Sequence, residues 1–162
     1  MNRRLALVVE DEYDVSIIFA KALKAAGFEA QIIRSGDLAL TWLSSMTPDV
    51  VVLDLNLPNV PGTEILHRIR ADARLASTKV IVATAYPRLA EGLHNEADWI
   101  LSKPVSFGQL RDLAARLVSR ASRRSGSPRG STVPVNGSWP ASSQTGGKAN
   151  EQSVRADRRR RQ

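Results

Sequence analysis

The chain has 162 residues, 43% of them hydrophobic, which suffices for one domain of ordinary size but not for two. It has no cysteine, which excludes disulfide frameworks, thiolate nucleophiles and cysteine metal sites. It has only two histidines, so a zinc site would need carboxylate ligands as well. No stretch approaches the roughly 18 consecutive apolar residues of a membrane span, and the first apolar run is too short for a signal peptide. We therefore expect a cytoplasmic protein with no membrane partner.

The formal net charge of +7 is confined to the C-terminal segment. Residues 1–120 contain 14 basic and 14 acidic side chains, whereas residues 121–162 contain nine basic and two acidic ones. The C-terminal segment is rich in Ser, Gly, Pro and Arg and lacks helical or strand periodicity, so it cannot bury a core. We predict a folded domain over residues 1–121 and a disordered basic tail over residues 122–162.

Short β-branched runs alternate with segments of helical periodicity along the predicted domain. Strands are predicted at residues 5–9, 30–33, 50–53, 80–83 and 99–101. The first helix is expected to end before Gly27, a residue suited to a left-handed cap, and the second to begin after Ser35. A third helix begins near Gly62, and the last begins at Ser106, which has capping-box spacing to Gln109.

Five strands that alternate with five helices predict a doubly wound α/β domain. The strands are apolar along their whole length, so helices must cover both faces of a parallel sheet. In such sheets polar ligands bind beyond the carboxyl ends of the strands. The residues that end the strands are therefore the first candidates for a functional site.

Charged and polar residues follow four of the five predicted strands. The first strand runs into Glu10, Asp11 and Glu12, the third into Asp54, the fourth into Thr84, and the fifth is followed by Lys103. The clustered carboxylates repel one another unless a cation neutralises them, and oxygen ligands of this kind suit Mg²⁺. Asp54 could act as a nucleophile towards a phosphoryl donor, with Lys103 and the metal offsetting charge in the transition state.

These residues resemble the receiver domain of two-component response regulators over residues 5 to about 121. The resemblance rests on an ordered set of motifs: Val8-Val9-Glu10-Asp11-Glu12, Val52-Leu53-Asp54-Leu55-Asn56-Leu57-Pro58, Gly62, Thr84-Ala85 and Lys103-Pro104. Asp54 lies 43 residues after Asp11 and 30 residues before Thr84, and both spacings are similar to those of the family.

The resemblance implies a flavodoxin-like sheet of strand order 2-1-3-4-5 with five helices. The fourth helix, around residues 88–95, is expected to be shortened, because the segment between Thr84 and Lys103 is about three residues shorter than the family pattern. The position of the family's switch aromatic is occupied here by Ile100, with Trp99 one residue earlier. We therefore expect phosphorylation to follow the family pattern more closely than the aromatic switch that signals to partner proteins.

The resemblance also assigns roles to individual residues. It implies that Asp54 accepts the phosphoryl group, that Lys103 and Thr84 contact the phosphoryl oxygens, and that the Lys103-Pro104 peptide is cis. It further implies that Glu10, Asp11, Asp54 and the backbone carbonyl of Asn56 hold Mg²⁺.

The favoured function is a stand-alone response regulator, not an enzyme. A histidine kinase or histidine phosphotransfer protein would phosphorylate Asp54, and a separate protein that the sequence does not identify would read the modified state. One alternative is a phosphorylation-independent adaptor, distinguished by whether Asp54→Asn changes partner binding. Another, less favoured, is a regulator whose basic tail binds nucleic acid or another polyanion.

Overall fold

The computed structural model describes the backbone of residues 4–124 and the side chains of residues 4–117. The predicted disordered tail lies outside the described residues, apart from the last turn of the final helix. None of the described helices is both long enough and apolar enough to cross a membrane.

Residues 4–124 form five strands and four α-helices. In chain order these are β1 (Arg4–Val9), α1 (Tyr13–Ala25), β2 (Phe28–Ile33), α2 (Gly36–Leu43), β3 (Val50–Leu53), α3 (Gly62–Ala71), β4 (Lys79–Thr84), β5 (Trp99–Ser102) and α4 (Phe107–Arg124). Short 3₁₀ turns at Ala73–Leu75, Pro87–Ala90 and Leu93–Asn95 complete the regular structure. All five predicted strands are confirmed.

The five strands form one parallel sheet in the order β2-β1-β3-β4-β5, as expected. The register places Ile33, Val9 and Leu53 in one row across β2, β1 and β3. The residues that follow them therefore emerge side by side at the carboxyl edge of the sheet. This row determines which side chains can meet there.

The sheet is buried between two layers of helices, because successive side chains of a strand point to opposite faces. One face packs against α2 and α3 and the other against α1 and α4. The first core contains Leu7, Val9, Val51, Leu53, Val80, Val82, Ala39, Leu43, Ile65, Leu66 and Ile69. The second contains Ala6, Val8, Val50, Val52, Ile81, Ala83, Phe19, Ala22, Leu23, Leu110 and Ala114.

Local signals at helix ends agree with the predicted boundaries. Gly27 follows α1 with φ at +94°, in the left-handed region that favours glycine, and its N–H donates to Lys24 O at 3.0 Å. At the start of α4 the N–H of Gln109 donates to Ser106 Oγ at 3.2 Å, the first half of the predicted capping box. Ser35 also precedes its helix in an extended conformation, but its side chain makes no capping hydrogen bond.

The described residues contain four α-helices, because the segment around residues 88–95, where a shortened fourth helix is expected, forms two 3₁₀ turns. Glu91 is extended, with ψ at 127°, and Gly92 has φ at +88°, so no continuous helix can pass through them. Ala90 and Leu93 nevertheless bury their side chains in the first core. The shortened segment is thus packed against the sheet without a helix.

A charged network fastens the end of this segment to β4. Asp98 Oδ2 accepts hydrogen bonds from Arg70 Nη2 at 2.8 Å and from Val80 N at 2.9 Å, and Oδ1 accepts one from Lys79 Nζ at 2.9 Å. Arg70 also donates to the carbonyls of Glu96 and Thr78. Burial opposes ionisation of Asp98, but these donors and positive charges outweigh it and lower the pKa of Asp98.

We predict that Asp98→Asn lowers the free energy of unfolding at pH 7 by about 1.5–3 kcal/mol, since it removes hydrogen bonds to a charged group. The pKa of Asp98 is lower in the folded state than its ordinary value of 3.8. Its stabilisation is therefore complete above pH 3.8 and is lost as the pH falls through the folded-state pKa. Urea unfolding at pH 7 and pH 3 should show the difference between wild type and variant shrinking at pH 3.

The matched control is Asp112→Asn, because Asp112 is 60% exposed and, among the side chains of residues 4–117, pairs only with the neighbouring Arg111. This exposed pair should contribute little at either pH. A deficit of equal size at pH 7 and pH 3 for Asp98→Asn would contradict the role assigned to the ionised carboxylate.

Candidate functional site

Glu10 and Asp54 lie next to each other because the sheet register continues one residue beyond the strands. The N–H of Asp54 donates to Val9 O at 3.0 Å, and the N–H of Glu10 donates to Ile33 O at 3.1 Å. These bonds extend the ladder past the last paired residues and fix both backbones. Two carboxylates therefore occupy the middle of the carboxyl edge.

Lys103, which follows the edge strand β5, contacts both carboxylates with its side chain. Its Nζ lies 2.7 Å from Asp54 Oδ2 and 2.7 Å from Glu10 Oε2. The backbone N–H of Lys103 donates to Thr84 O at 2.9 Å, which continues the ladder between β4 and β5. The Lys103-Pro104 peptide is cis, as predicted.

Burial sets the electrostatics of this group. Glu10 is 1% exposed and Asp54 6% exposed. Burial raises the pKa of Glu10 to about 7, and the charge of Asp54 adds to the increase, although the contact with Lys103 opposes it. Burial also disfavours the charged form of Lys103, but its contacts with Asp54 and Glu10 prevail and raise the pKa of Lys103. One ammonium therefore does not fully compensate the two carboxylates.

The acidic group fits a divalent cation bound through oxygen. One carboxylate oxygen from each of Glu10, Asp11 and Asp54 lies within 4.8 Å of the others. Glu10 Oε2 is buried and, despite its close charge contact with Lys103, receives no hydrogen bond of ordinary geometry from the part of the chain that the structure describes. Asp11 is exposed at the mouth of the group. Hard oxygen ligands with excess negative charge are what Mg²⁺ prefers in proteins.

The two remaining predicted site residues, Asn56 and Thr84, flank this group. The N–H of Asn56 donates to Asp54 Oδ1 at 3.1 Å and so orients the carboxylate. Thr84 is fully buried at the end of β4, and its Oγ1 accepts a hydrogen bond from the N–H of Tyr86 at 3.0 Å. The structure thus brings Glu10, Asp11, Asp54 and Lys103 together, with Asn56 beside them. The individual roles of these residues stay predictions.

The two residues near the expected aromatic switch position are both part of the core. Ile100 is partly buried against the α2 and α3 side of the sheet, and Trp99 packs on the opposite side. The alternation of side chains along β5 accounts for this arrangement. Trp99 is therefore a partly buried core residue.

Gly62 supports the site from behind, which explains its place in the sequence pattern. A Cβ at this position would lie 2.0 Å from the carbonyl oxygen of Asp54 and 2.7 Å from the Cα of Leu55. The N–H of Gly62 also donates to Leu55 O at 3.0 Å. The start of α3 can approach the backbone of Asp54 only because residue 62 has no side chain.

Sequence reasoning missed Arg34 and Tyr13 at the same edge of the sheet. The Arg34 guanidinium carbon lies 4.5 Å from the centre of the Tyr13 ring. No motif or periodicity marks either residue. The alignment of β2 with β1, which brings Arg34 to this edge, is the signal that could have found them.

Comparisons with known proteins agree with the fold. Residues 6–115 match the family model of the response regulator receiver domain. The chain is 30% identical over 126 residues to the DNA-binding response regulator MtrA of Mycolicibacterium paratuberculosis, covering 78% of this chain and 55% of that protein. It is 35% identical over 117 residues to the phosphate regulon transcriptional regulatory protein PhoB of Rhizobium meliloti, covering 70% of this chain and 52% of that protein.

Among solved structures, the chain is similar to a CheY-like response regulator receiver domain from Methylobacillus flagellatus. The TM-score is 0.64 at 27% sequence identity, with 72% of this chain and 99% of that chain covered. The chain belongs to the response regulator receiver family, a class of signalling domains in two-component systems. It spans about half the length of the curated relatives it matches.

We predict that Gly62→Ala destabilises the protein by about 1–3 kcal/mol, because the added methyl group has no space beside the Asp54 backbone. Chemical denaturation measures the change. The matched control is Gly108→Ala in the first turn of α4, where a Cβ meets nothing within 4 Å. That change should be neutral or stabilise by up to about 1 kcal/mol. Equal effects of the two substitutions would contradict the proposed close approach.

Proposed function

We propose that Asp54 accepts a phosphoryl group from a histidine kinase or a histidine phosphotransfer protein, and that the modified domain signals by contact with a separate protein. The observation that carries the proposal is the position of Lys103 Nζ, 2.7 Å from both Asp54 Oδ2 and Glu10 Oε2. An ion pair serving stability alone needs only one carboxylate. The additional buried carboxylate and the exposed Asp11 beside it suit a site that handles a cation and an anion together.

The proposed transfer is a displacement at phosphorus. An oxygen of the Asp54 carboxylate forms the new P–O bond, while the P–N bond of the donor phosphohistidine breaks and the imidazole leaves with the electron pair. The hydrogen bond from Asn56 N–H to Oδ1 and the contact of Lys103 with Oδ2 hold the carboxylate in a fixed orientation. Positioning and charge stabilisation are the main contributions that a protein makes to phosphoryl transfer.

Glu10, Asp11, Asp54 and the backbone carbonyl of Asn56 would hold Mg²⁺. When bound, the ion would neutralise charge on the transferred phosphoryl oxygens. Lys103 contributes a second positive charge on the side of β5. Asp54 stays acceptor-only when ionised, so its free lone pairs remain available to the phosphorus atom.

Phosphorylation would change the contacts of Thr84. Its Oγ1 now accepts from Tyr86 N–H, which ties the hydroxyl to the loop after β4. Phosphoryl oxygens are strong acceptors, so they would compete for the hydroxyl proton of Thr84 and for the ammonium of Lys103. A shift of Thr84 would break or move its hydrogen bond with Tyr86 and so displace the 3₁₀ turn Pro87–Ala90 that follows. This segment would then transmit the change to the downstream protein.

Nucleic-acid binding through the C-terminal segment is the second candidate function. It is favoured by the charge of residues 121–162, which contain nine basic and two acidic side chains, and by the DNA-binding relative MtrA. Clustered arginines bind phosphates through charge and counterion release. The adaptor alternative differs from both, since it requires that Asp54→Asn leave partner binding unchanged.

We predict that incubation with acetyl phosphate and Mg²⁺ adds one phosphoryl group to the wild-type chain and none to Asp54→Asn. Intact-mass spectrometry measures the adduct. EDTA should suppress it, because the clustered carboxylates repel an anionic donor when no divalent cation neutralises them. Asp112→Asn, a matched change on the exposed face of α4, should be phosphorylated like the wild type. No adduct on the wild type with acetyl phosphate or with a histidine kinase would favour the adaptor.

A separate prediction addresses the C-terminal charge. Replacing the four arginines at positions 158–161 by glutamine in the full chain should weaken DNA binding and reduce its salt dependence. Each lost phosphate contact lowers the slope of log K against log salt by about 0.9. Fluorescence anisotropy with labelled duplex DNA measures both quantities. Arg68→Gln combined with Arg111→Gln is the control, and equal loss in the two variants would refute a role for the C-terminal cluster.

A further inference from the structure

Arg34 emerges at the same sheet edge as the phosphorylation site. Ile33, Val9 and Leu53 form one row across three adjacent strands, so Arg34, Glu10 and Asp54 are the next residues of those strands. With a strand spacing of about 4.8 Å, the Cα atoms of Arg34 and Asp54 are expected to lie about 10 Å apart. Arg34 therefore borders the site on the β2 side, opposite Lys103.

The guanidinium of Arg34 is held in place by two neighbours on α1. It stacks over the ring of Tyr13 at 4.5 Å, and its Nη2 donates to Ser16 Oγ at 3.3 Å. Ser16 is fully buried and its hydroxyl donates to Tyr13 O at 2.7 Å, so both contacts belong to one small network. This network orients Arg34, and among the described residues it leaves further N–H donors free, since a guanidinium carries five.

The positive charge of Arg34 is not neutralised by a neighbour. Within the part of the chain that the structure describes, no carboxylate forms an ion pair with its guanidinium. Tyr13 is 63% exposed, and a cation–π contact at such an exposed position contributes only about 0.5–1 kcal/mol. Stability alone therefore gives little reason to place a fixed cation here.

An anionic donor approaching Asp54 meets a strongly negative surface. Glu10, Asp11, Glu12 and Asp54 follow β1 and β3, and Lys103 already contacts two of them. A cation at the rim lowers the repulsion that a phosphoryl group experiences during approach, and this effect is screened by salt. The planar guanidinium also matches the geometry of phosphoryl oxygens.

We propose that Arg34 is a donor-recognition residue that attracts the phosphoryl group of the incoming donor to Asp54. The inference rests on the proposed function, since it assigns a specific step of that reaction to a residue outside the Asp54 group. Arg34 acts on the encounter with the donor, while the transfer itself depends on Asp54 and Lys103. Its removal should therefore slow phosphorylation at low donor concentration more than at saturation.

The test compares full-length wild type, Arg34→Ala and Arg34→Lys with acetyl phosphate and Mg²⁺, following the adduct by intact-mass spectrometry over time. At low ionic strength Arg34→Ala should lower the second-order rate constant about threefold to tenfold, and the difference should shrink as salt is added. Arg34→Lys keeps the charge and should recover part of the loss. Arg68→Ala removes an exposed arginine of α3, which is 69% exposed, and should change nothing.

Phosphoramidate provides a second donor, because its P–N bond breaks as in phosphohistidine. A loss with both donors places Arg34 on the shared phosphoryl group, whereas a loss with acetyl phosphate alone would overturn the inference. Equal rates for wild type and Arg34→Ala, or a loss that does not change with salt, would also overturn it. Absence of any adduct on the wild type is a different result, which would reject the proposed function itself.

Discussion

The contact of one ammonium with two buried carboxylates is the constraint on which the rest of the site depends. Glu10 and Asp54 are nearly inaccessible to water, and their negative charges repel each other at the ends of adjacent strands. Lys103 is the cation that joins them, and removing one member of such a buried group typically costs about 3–5 kcal/mol. Even so, burial raises the pKa of Glu10 to about 7, so its ionised form is costly here, and a divalent cation would favour that form.

The parallel sheet supplies this constraint through its register. Central strands that are apolar on both faces need helices on both sides, and their carboxyl ends then open at a single edge. Because the hydrogen-bond ladder continues to Glu10 N and Asp54 N, the backbones of both residues are fixed next to each other. The two side chains therefore start from neighbouring positions at the same edge of the sheet. Gly62 completes the arrangement by allowing α3 to pack directly behind Asp54. The positions of the two carboxylates and the packing of α3 behind them thus depend on the same few backbone contacts.

Most of this arrangement was accessible from the sequence, because its signals are local or periodic. The apolar runs predicted the strands, the acidic and basic residues at their ends predicted the group around Asp54, and Gly27 and Ser106 predicted helix boundaries. The two 3₁₀ turns that stand in place of the shortened fourth helix could not be predicted, because the conformation of Glu91 and Gly92 and the burial of Leu93 are decided by tertiary packing. Arg34 was missed for a related reason, since only the pairing of β2 with β1 brings it to the site.

In the proposed function, the carboxylate of Asp54, and no neighbouring carboxylate, forms the covalent bond to phosphorus. This assignment is tested most directly by treating the phosphorylated protein with borohydride, which reduces an acyl phosphate to the alcohol, and mapping the product by peptide mass spectrometry. We expect residue 54 alone to be converted to homoserine. Conversion at Glu10, Asp11 or Glu12, or phosphorylated protein that yields no reduced residue, would contradict it.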